Sequence, residues 1–494
     1  MRSRGTPRIS ALTTQTSTRS GGIAIRPVRW STKDDNIAAV LAFIEIGTSE
    51  AGFGAIPTTA PSNDVGVGCL FRQDESRDAM TRRETFVIVG GGLAGATAAE
   101  ALRTQGFDGR VVLIDDETER PYNRPPLSKD YLQGKSEKEK IYVHPERWYD
   151  DNGVELRLDC PVTLLDATAH QLTVESGEQF DYDKLLLTTG SSPRHLKVPG
   201  SDLGGVLYLR RVADCEAIKA AFVTAKRVAI IGAGWIGLET AAAARVAGVE
   251  AIVLETAELP LVRVLGPEVA EIFLNLHTRH GVTMDMSVEV AEITGVEHRV
   301  TGVRLGDGRQ IDADVVVVGV GITPNTELAE AAGLTVDNGI VVDENLKSSD
   351  PDVFAAGDVA NTWYPLLDRH LRLEHWSAAL NQGPVAAANM MGRRVDYDRV
   401  PYFYSDQYDL GMEYSGFVEP GHYDQIVFRG EVTEGKYIVF WLNQGRVLAG
   451  MNVNVWDVTD AIADLVRLGK PINVTRLQDP EVDLEDLLRG ARGV

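Results

Sequence analysis

The chain has 494 residues, 44% of them hydrophobic and 24% charged, a length and balance that suit a water-soluble protein of about three domains. A formal charge of -22 excludes a general nucleic-acid binder, which needs a basic surface to neutralise phosphates, and no apolar run reaches the roughly 18 residues of a membrane span. Cys69, Cys160 and Cys215 include no closely spaced pair, which excludes a disulfide scaffold, a cysteine-bound metal centre and a redox-active dithiol.

Residues 1–33 carry six Arg, one Lys and no acid among many Ser and Thr, the composition of an organelle transit peptide. The segment runs on without an amphipathic stripe, and Met80-Thr-Arg-Arg-Glu84 leads straight into the first strand as a natural start would. Residues 1–80 are therefore expected to be a dispensable, largely disordered extension of a cytoplasmic protein. Organelle targeting is the alternative if residues 1–33 act as a leader.

Thr85-Phe-Val-Ile-Val89 is an apolar strand running into Gly90-Gly-Gly-Leu-Ala-Gly95 and a helix of small residues to Arg103. In such a G-x-G-x-x-G turn Gly90 allows the tight bend, Gly92 lets a pyrophosphate approach the backbone, and Gly95 lets the helix pack closely. Leu93 and Ala94 open the helix, whose N-terminal N–H groups and partial positive charge face that pyrophosphate. The next strand, Arg110–Ile114, ends in Asp115-Asp116-Glu117, of which Asp116 is the candidate acceptor for a ribose diol.

The same logic returns at Arg227-Val-Ala-Ile-Ile-Gly-Ala-Gly-Trp-Ile-Gly237, where Gly232, Gly234 and Gly237 form the turn and Trp235 and Ile236 open a helix. A strand from Glu250 closes at Glu255, whose carboxylate suits a free 2'-hydroxyl and repels a 2'-phosphate. Two such units, each with an acid about 20 to 26 residues on, indicate two dinucleotide sites, the second favouring NADH. Each unit also closes on an apolar strand and a glycine turn, at Thr189-Gly190 and at Gly319.

Val353-Phe-Ala-Ala-Gly357-Asp358 and a helix over 377–391 supply too few elements for a domain and fit as the completion of the first. The division expected is a first dinucleotide domain over 81–200 and 325–398, a second over 201–324, and a small α+β domain over 399–494 with alternating strands such as Tyr437–Leu442. The fold class is α/β, with two Rossmann-like domains arranged as in glutathione reductase.

Four further stretches, Pro121-Tyr-Asn-Arg-Pro-Pro-Leu-Ser-Lys129, Thr188-Thr-Gly-Ser-Ser-Pro-Arg194, Val320-Gly-Ile-Thr-Pro-Asn325 and Ala355-Ala-Gly-Asp358, resemble those of the FAD-dependent, NADH-linked ferredoxin and rubredoxin reductases. So does the tail sequence Pro401-Tyr-Phe-Tyr-Ser-Asp-Gln407. The resemblance covers about Thr81 to the C-terminus. It implies FAD contacts from Ala94, Asp116, Lys129, Val162, Arg210, Asp358 and Trp376, with Arg124, Gly357, Glu374 and His375 beside them. It makes Lys129, near flavin N5, and Glu239, where the family binds the nicotinamide carboxamide, the candidate catalytic residues. Arg263 is retained in the loop after the second ribose acid, whereas an Arg usual near Leu259-Pro260 is not, and Tyr404 stands where relatives often have Trp.

By that resemblance the expected activity is transfer of electrons from NADH through FAD to a small iron-sulfur protein, a ferredoxin or rubredoxin serving an oxygenase. An NADH oxidase or diaphorase, and an NADH-sensing interaction flavoprotein, are the alternatives. Arg369, Arg372, Arg393, Arg394 and Arg399 are a candidate docking patch, on a monomer or homodimer. Asp358 is expected to precede a helix whose N-terminus faces the flavin.

Overall fold

Both glycine turns form, and they do so with the same backbone. Gly90 and Gly232 have φ of +110° and +106°, a region that favours glycine, and a Cβ on them would lie 2.2 Å from the Thr188 carbonyl and 2.4 Å from that of Gly319. A Cβ on Gly95 or Gly237 would fall 2.1 Å from the carbonyl of Gly90 or Gly232, so the glycines let each helix close on its own turn. The computed structural model describes residues 83–492, and the extension expected over residues 1–80 lies outside them.

The first turn sits at the end of a parallel sheet in the order Val353–Ala355, Lys184–Leu187, Thr85–Val89, Arg110–Ile114, Val154–Arg157. The strand furthest along the chain thus returns to pair with Lys184–Leu187. The second sheet, also parallel, runs Thr283–Met286, Glu250–Glu255, Arg227–Ile231, Val315–Val318, Val206–Tyr208. Val315–Val318 is four buried valines in a row, as a strand covered on both faces requires, and each contributes about 1.5–3 kcal/mol of burial.

The helices Leu93–Thr104 and Trp376–Met390 meet at Gly383, where a Cβ would lie 2.3 Å from Thr97 Oγ1 and 2.4 Å from the Ala94 carbonyl. Beside this contact Gln382 accepts the Gly357 N–H at 2.7 Å and donates to Thr362 Oγ1 at 3.2 Å, tying the helix to the turn after Ala355. The helix expected after Asp358, over 377–391, forms as Trp376–Met390, with a short segment between them. Gly357–Val359 is a single 3₁₀ turn, followed by the strand Ala360–Tyr364.

A five-stranded antiparallel sheet closes the chain, in the order Tyr402–Gln407, Leu410–Gly416, Arg446–Val453, Lys436–Asn443, Gln425–Glu431. The alternation expected at Tyr437–Leu442 gives way to six consecutive buried residues, because this sheet is covered on both faces. Tyr437, Val439 and Trp441 join Leu265 and Phe273 of the second unit in one core, and Trp441 Nε1 donates to the Leu265 carbonyl at 3.1 Å. Ile438, Phe440 and Leu442 pack under the helices Thr459–Leu468 and Leu484–Arg492. Among the described residues no helix is long and apolar enough to cross a membrane.

Candidate active site

A cavity of about 1110 Å³ opens where the first glycine turn, the second glycine-turn helix and the C-terminal sheet converge. Ligand pockets commonly run about 300–1,000 Å³, so this one has room for a dinucleotide. Gly90, Gly92, Leu93 and Ala94 enter from the first turn, and Asp116, Arg124, Lys129 and Val162 from the segments beyond it. Thr189, Gly190 and Arg210 form one side, while Gly357, Asp358, Glu374, His375 and Trp376 form another. Of the second glycine turn and its helix, Trp235, Ile236 and Glu239 reach the cavity wall, and the strand Val206–Tyr208 of the same sheet lines it as well. Gly95 lies behind the first turn, and Gly232, Gly234, Gly237, Gly319, Glu255 and Arg263 do not line the cavity.

Strand register separates the three acids after Ile114. Ile114 pairs with Val89 as Leu254 pairs with Ile231, so the counterpart of Glu255 is Asp115, not Asp116. Asp115 is buried against the Gly91 N–H, and burial raises its carboxyl to about 6. Glu117 is buried too, 2.6 Å from Tyr122 Oη and 2.9 Å from Arg124. Asp116 alone is half exposed, and it pairs with Arg211 at 2.6 Å. Glu255 accepts the Ala233 and Ala257 N–H groups at 2.8 and 2.9 Å. Burial pushes its carboxyl up, but these hydrogen bonds outweigh that and hold it below the usual range.

Asp358 is held by Arg210 at 2.8 Å and by Ser191 Oγ at 3.0 Å. Burial raises the carboxyl, and Arg210, Ser191 and Arg124 together pull it net below its ordinary value. Thr189 and Asn325 exchange hydrogen bonds at 2.7 and 2.8 Å, closing the seam where Ser191–Pro193 pairs with Ile322–Pro324. Thr188 shares its hydroxyl between the carbonyls of Gly90 at 2.8 Å and Val89 at 3.1 Å and braces the turn.

The two candidate catalytic residues meet. Lys129 Nζ lies 2.7 Å from Glu239 Oε1 and 5.5 Å from the centre of the Tyr404 ring. Glu239 is 3% exposed and accepts further hydrogen bonds from Ser128 Oγ and, at 2.6 Å, from Ser405 Oγ. Trp376 Nε1 donates to Asn123 at 3.0 Å, and its ring sits edge-on to Tyr404. His375 packs on Phe403 at 4.6 Å, and burial lowers its imidazole to about 4, so near neutrality it is uncharged.

The residues present fit a bound dinucleotide. Arg210 Nε and His375 Nδ1 are buried without a hydrogen-bond partner in residues that line the cavity, and polar groups in that state need one. At Gly92 a Cβ would meet nothing within 4 Å, so the turn presents bare backbone to the space in front of it. Of the candidate docking patch, Arg394 and Arg399 are exposed, as are Arg369 and Arg393, but Arg372 is not part of that surface. Arg372 is 7% exposed, paired with Glu374 at 2.7 Å and bonded to the Asp358 carbonyl, so it belongs to the site's wall. Arg393 is spent on Gln105, and Arg369 on Glu419.

A family model of the pyridine nucleotide-disulphide oxidoreductases matches residues 84–383, and a reductase C-terminal model matches residues 402–488. The chain belongs to the pyridine nucleotide-disulphide oxidoreductases. Within them it is an enzyme of the ferredoxin reductase type, as the resemblance implied. This oxidoreductase is 40% identical to the ferredoxin–NAD(+) reductase component of the anthranilate 1,2-dioxygenase system of Burkholderia cepacia, over 82% of its own length and 99% of the relative's. It is 37% identical to rhodocoxin reductase of Rhodococcus erythropolis, over 81% and 93%. The crystal structure of a covalent putidaredoxin reductase–putidaredoxin complex superposes with a TM-score of 0.80 at 36% identity, covering 83% of this chain and 99% of that one. The expected fold, two Rossmann-like domains and a small α+β C-terminal domain, is borne out by two parallel sheets and an antiparallel C-terminal sheet with its helices.

Ser128, Ser405 and the partners of Arg124, namely Glu117 and Tyr122, were not singled out from sequence. Ser128 and Ser405 do fall within two of the five stretches that carry the resemblance, and Ser128 is the neighbour of Lys129.

Proposed function

We propose that this oxidoreductase passes electrons from NADH through FAD to a ferredoxin or rubredoxin that serves an oxygenase. In balance, one NADH and two oxidised iron-sulfur proteins give NAD+, one proton and two reduced iron-sulfur proteins. The observation that carries the reading is the Lys129–Glu239 pair, which joins a residue of the first unit to one of the second at the wall of a dinucleotide-sized cavity.

The backbone N–H groups from Gly90 to Gly95 would hold the FAD pyrophosphate, Asp116 its ribose diol, and Arg210 with Asp358 the chain towards the flavin. Val162, Arg124, Thr189, Gly190 and Gly357 would shape this pocket, and Glu374, His375 and Trp376 would close it at the ring. The turn Gly232–Gly237, with Trp235, Ile236, Gly319 and Arg263, would take NADH, and Glu255 would accept from its 2'-hydroxyl. Bound FAD supplies the redox chemistry, accepting a two-electron hydride and releasing the electrons singly. Glu239 would orient the nicotinamide, and Lys129 would set a positive charge beside the flavin. In a family named for a disulphide this chain offers none here. Among the described residues Cys160 lines the cavity without a second thiol and Cys215 is buried elsewhere, which supports electrons leaving the flavin directly and not through a dithiol.

Steady-state reduction of cytochrome c by NADH, with and without added [2Fe–2S] ferredoxins, tests this. Stimulation that saturates with ferredoxin supports the reading. Full activity with oxygen or a quinone and no response to any ferredoxin or rubredoxin would favour an oxidase or diaphorase.

A further inference from the structure

Behind the cavity wall, the Glu239 carboxylate ends a buried chain of hydrogen bonds that starts near the protein surface. Ser405 Oγ lies 2.6 Å from Glu239 Oε1, Gln407 Nε2 lies 3.1 Å from Ser405 Oγ, and His277 Nε2 lies 2.8 Å from Gln407 Oε1. Tyr408 Oη then lies 3.4 Å from His277 Nδ1, and the ring of Tyr408 is stacked on His280 at 3.8 Å. Glu239, Ser405, Gln407 and His277 are 3%, 1%, 1% and 0% exposed. Ser405 and Gln407 are two residues apart on the strand Tyr402–Gln407 and share a face, while His277 comes from the helix Pro267–Arg279.

The chemistry of the groups fixes the direction of every bond. A carboxylate only accepts, so Ser405 donates to Glu239 and has a lone pair left for Gln407. Gln407 must then turn its NH₂ to Ser405 and its carbonyl to His277. That places the imidazole hydrogen on Nε2 and leaves Nδ1 to accept from Tyr408. Burial lowers this imidazole to about 4, which keeps it in the neutral form the arrangement needs. All the donors therefore point towards Glu239. The Gln407 amide does not relay protons as a hydroxyl does, so the chain orients and does not conduct.

We infer that Ser405, fixed by Gln407 and His277, is a positioning residue for Glu239. With Ser405 and Lys129 on one oxygen and Ser128 on the other, the carboxylate has a single resting place facing the cavity. The C-terminal sheet thereby helps to set the nicotinamide side of the site, not only the outer surface. This deepens the reading above, since it rests on Glu239 meeting the nicotinamide.

The test uses FAD-loaded protein and two readouts. The first is the affinity for NAD+, followed by the flavin difference spectrum. Ser405→Ala should weaken it about tenfold with FAD content retained, Gln407→Leu should weaken it less, and Ser405→Thr, which keeps the hydroxyl, should stay within about twofold of wild type. The second is a double-mutant cycle on denaturant stability, in which the cost of Ser405→Ala should largely vanish in a Glu239→Leu background, where no acceptor oxygen is left. Wild-type NAD+ affinity in Ser405→Ala, or equal losses in Ser405→Ala and Ser405→Thr, would overturn the inference while leaving the proposed function standing. If wild-type flavin is not reduced by NADH, the proposed function fails, and an undiminished cost of Ser405→Ala beside Glu239→Leu then overturns the positioning role separately.

Discussion

Lys129 and Glu239, 110 residues apart in sequence, lie 2.7 Å apart across the two nucleotide-type units, and the pair is almost wholly buried. Removing one member strands the other charge, which in a buried pair costs about 3–5 kcal/mol. Lys129→Met should therefore lower stability by roughly that amount and slow NADH reduction of the flavin at least about tenfold. Lys129→Met with Glu239→Gln should recover much of the stability and none of the rate. Thermal unfolding and stopped-flow absorbance report the two effects independently.

Gly383 predicts a second outcome. Its hydrogen faces Thr97 Oγ1 and the Ala94 carbonyl at distances no Cβ tolerates, and the Ala94 contact is backbone. Gly383→Ala should force the helices Leu93–Thr104 and Trp376–Met390 apart, costing about 1–3 kcal/mol. Because Ala94 lines the cavity and Gln382 holds Gly357, FAD retention after gel filtration should fall as well. Retention equal to wild type would contradict this.

On the proposed function, nucleotide choice would turn on Glu255, whose carboxylate is fixed by the Ala233 and Ala257 N–H groups. Glu255→Gln keeps the size and removes the charge that repels a 2'-phosphate. The preference for NADH over NADPH, measured as the ratio of kcat/KM, should narrow about tenfold, mainly by a higher KM for NADH. An unchanged ratio would place the ribose contact elsewhere.

Acid should weaken the fold before it touches most carboxylates. Burial lowers His144, His277 and His375 to about 4 from 6.5, so between these values the unfolded chain binds more protons and stability falls as pH falls. Asp115, raised to about 6 from 3.8, works the other way, since the folded state keeps its proton in that window. Glu100, Glu374 and Asp406, also raised by burial, act with Asp115, against the three imidazoles. Denaturant stability at pH 5 should still lie below that at pH 7, and His277→Gln should narrow that difference by about 2 kcal/mol.

Sequence reading recovered the two turns because their chemistry is local: Gly90 and Gly232 each need a positive φ, and Gly95 and Gly237 a missing Cβ, within a few residues of a buried strand. It failed where meaning depends on register or on distant partners. Asp115, Asp116 and Glu117 are consecutive acids, and only the folded structure shows that one holds the turn, one is half exposed against Arg211 and one serves Arg124. Arg372 reads as surface charge until Glu374 and the Asp358 carbonyl are seen around it. Ser405 and His277 are ordinary residues in sequence, made a unit by the packing of the C-terminal sheet on the second nucleotide-type unit.

The most direct test of the electron route is anaerobic double-mixing stopped flow on FAD-loaded protein. NADH should bleach the flavin in well under a second, and oxidised [2Fe–2S] ferredoxin mixed in next should restore the flavin absorbance while its own cluster bleaches. Flavin reduction taking minutes, or reduced flavin that ferredoxin leaves untouched and only oxygen reoxidises, would contradict the account.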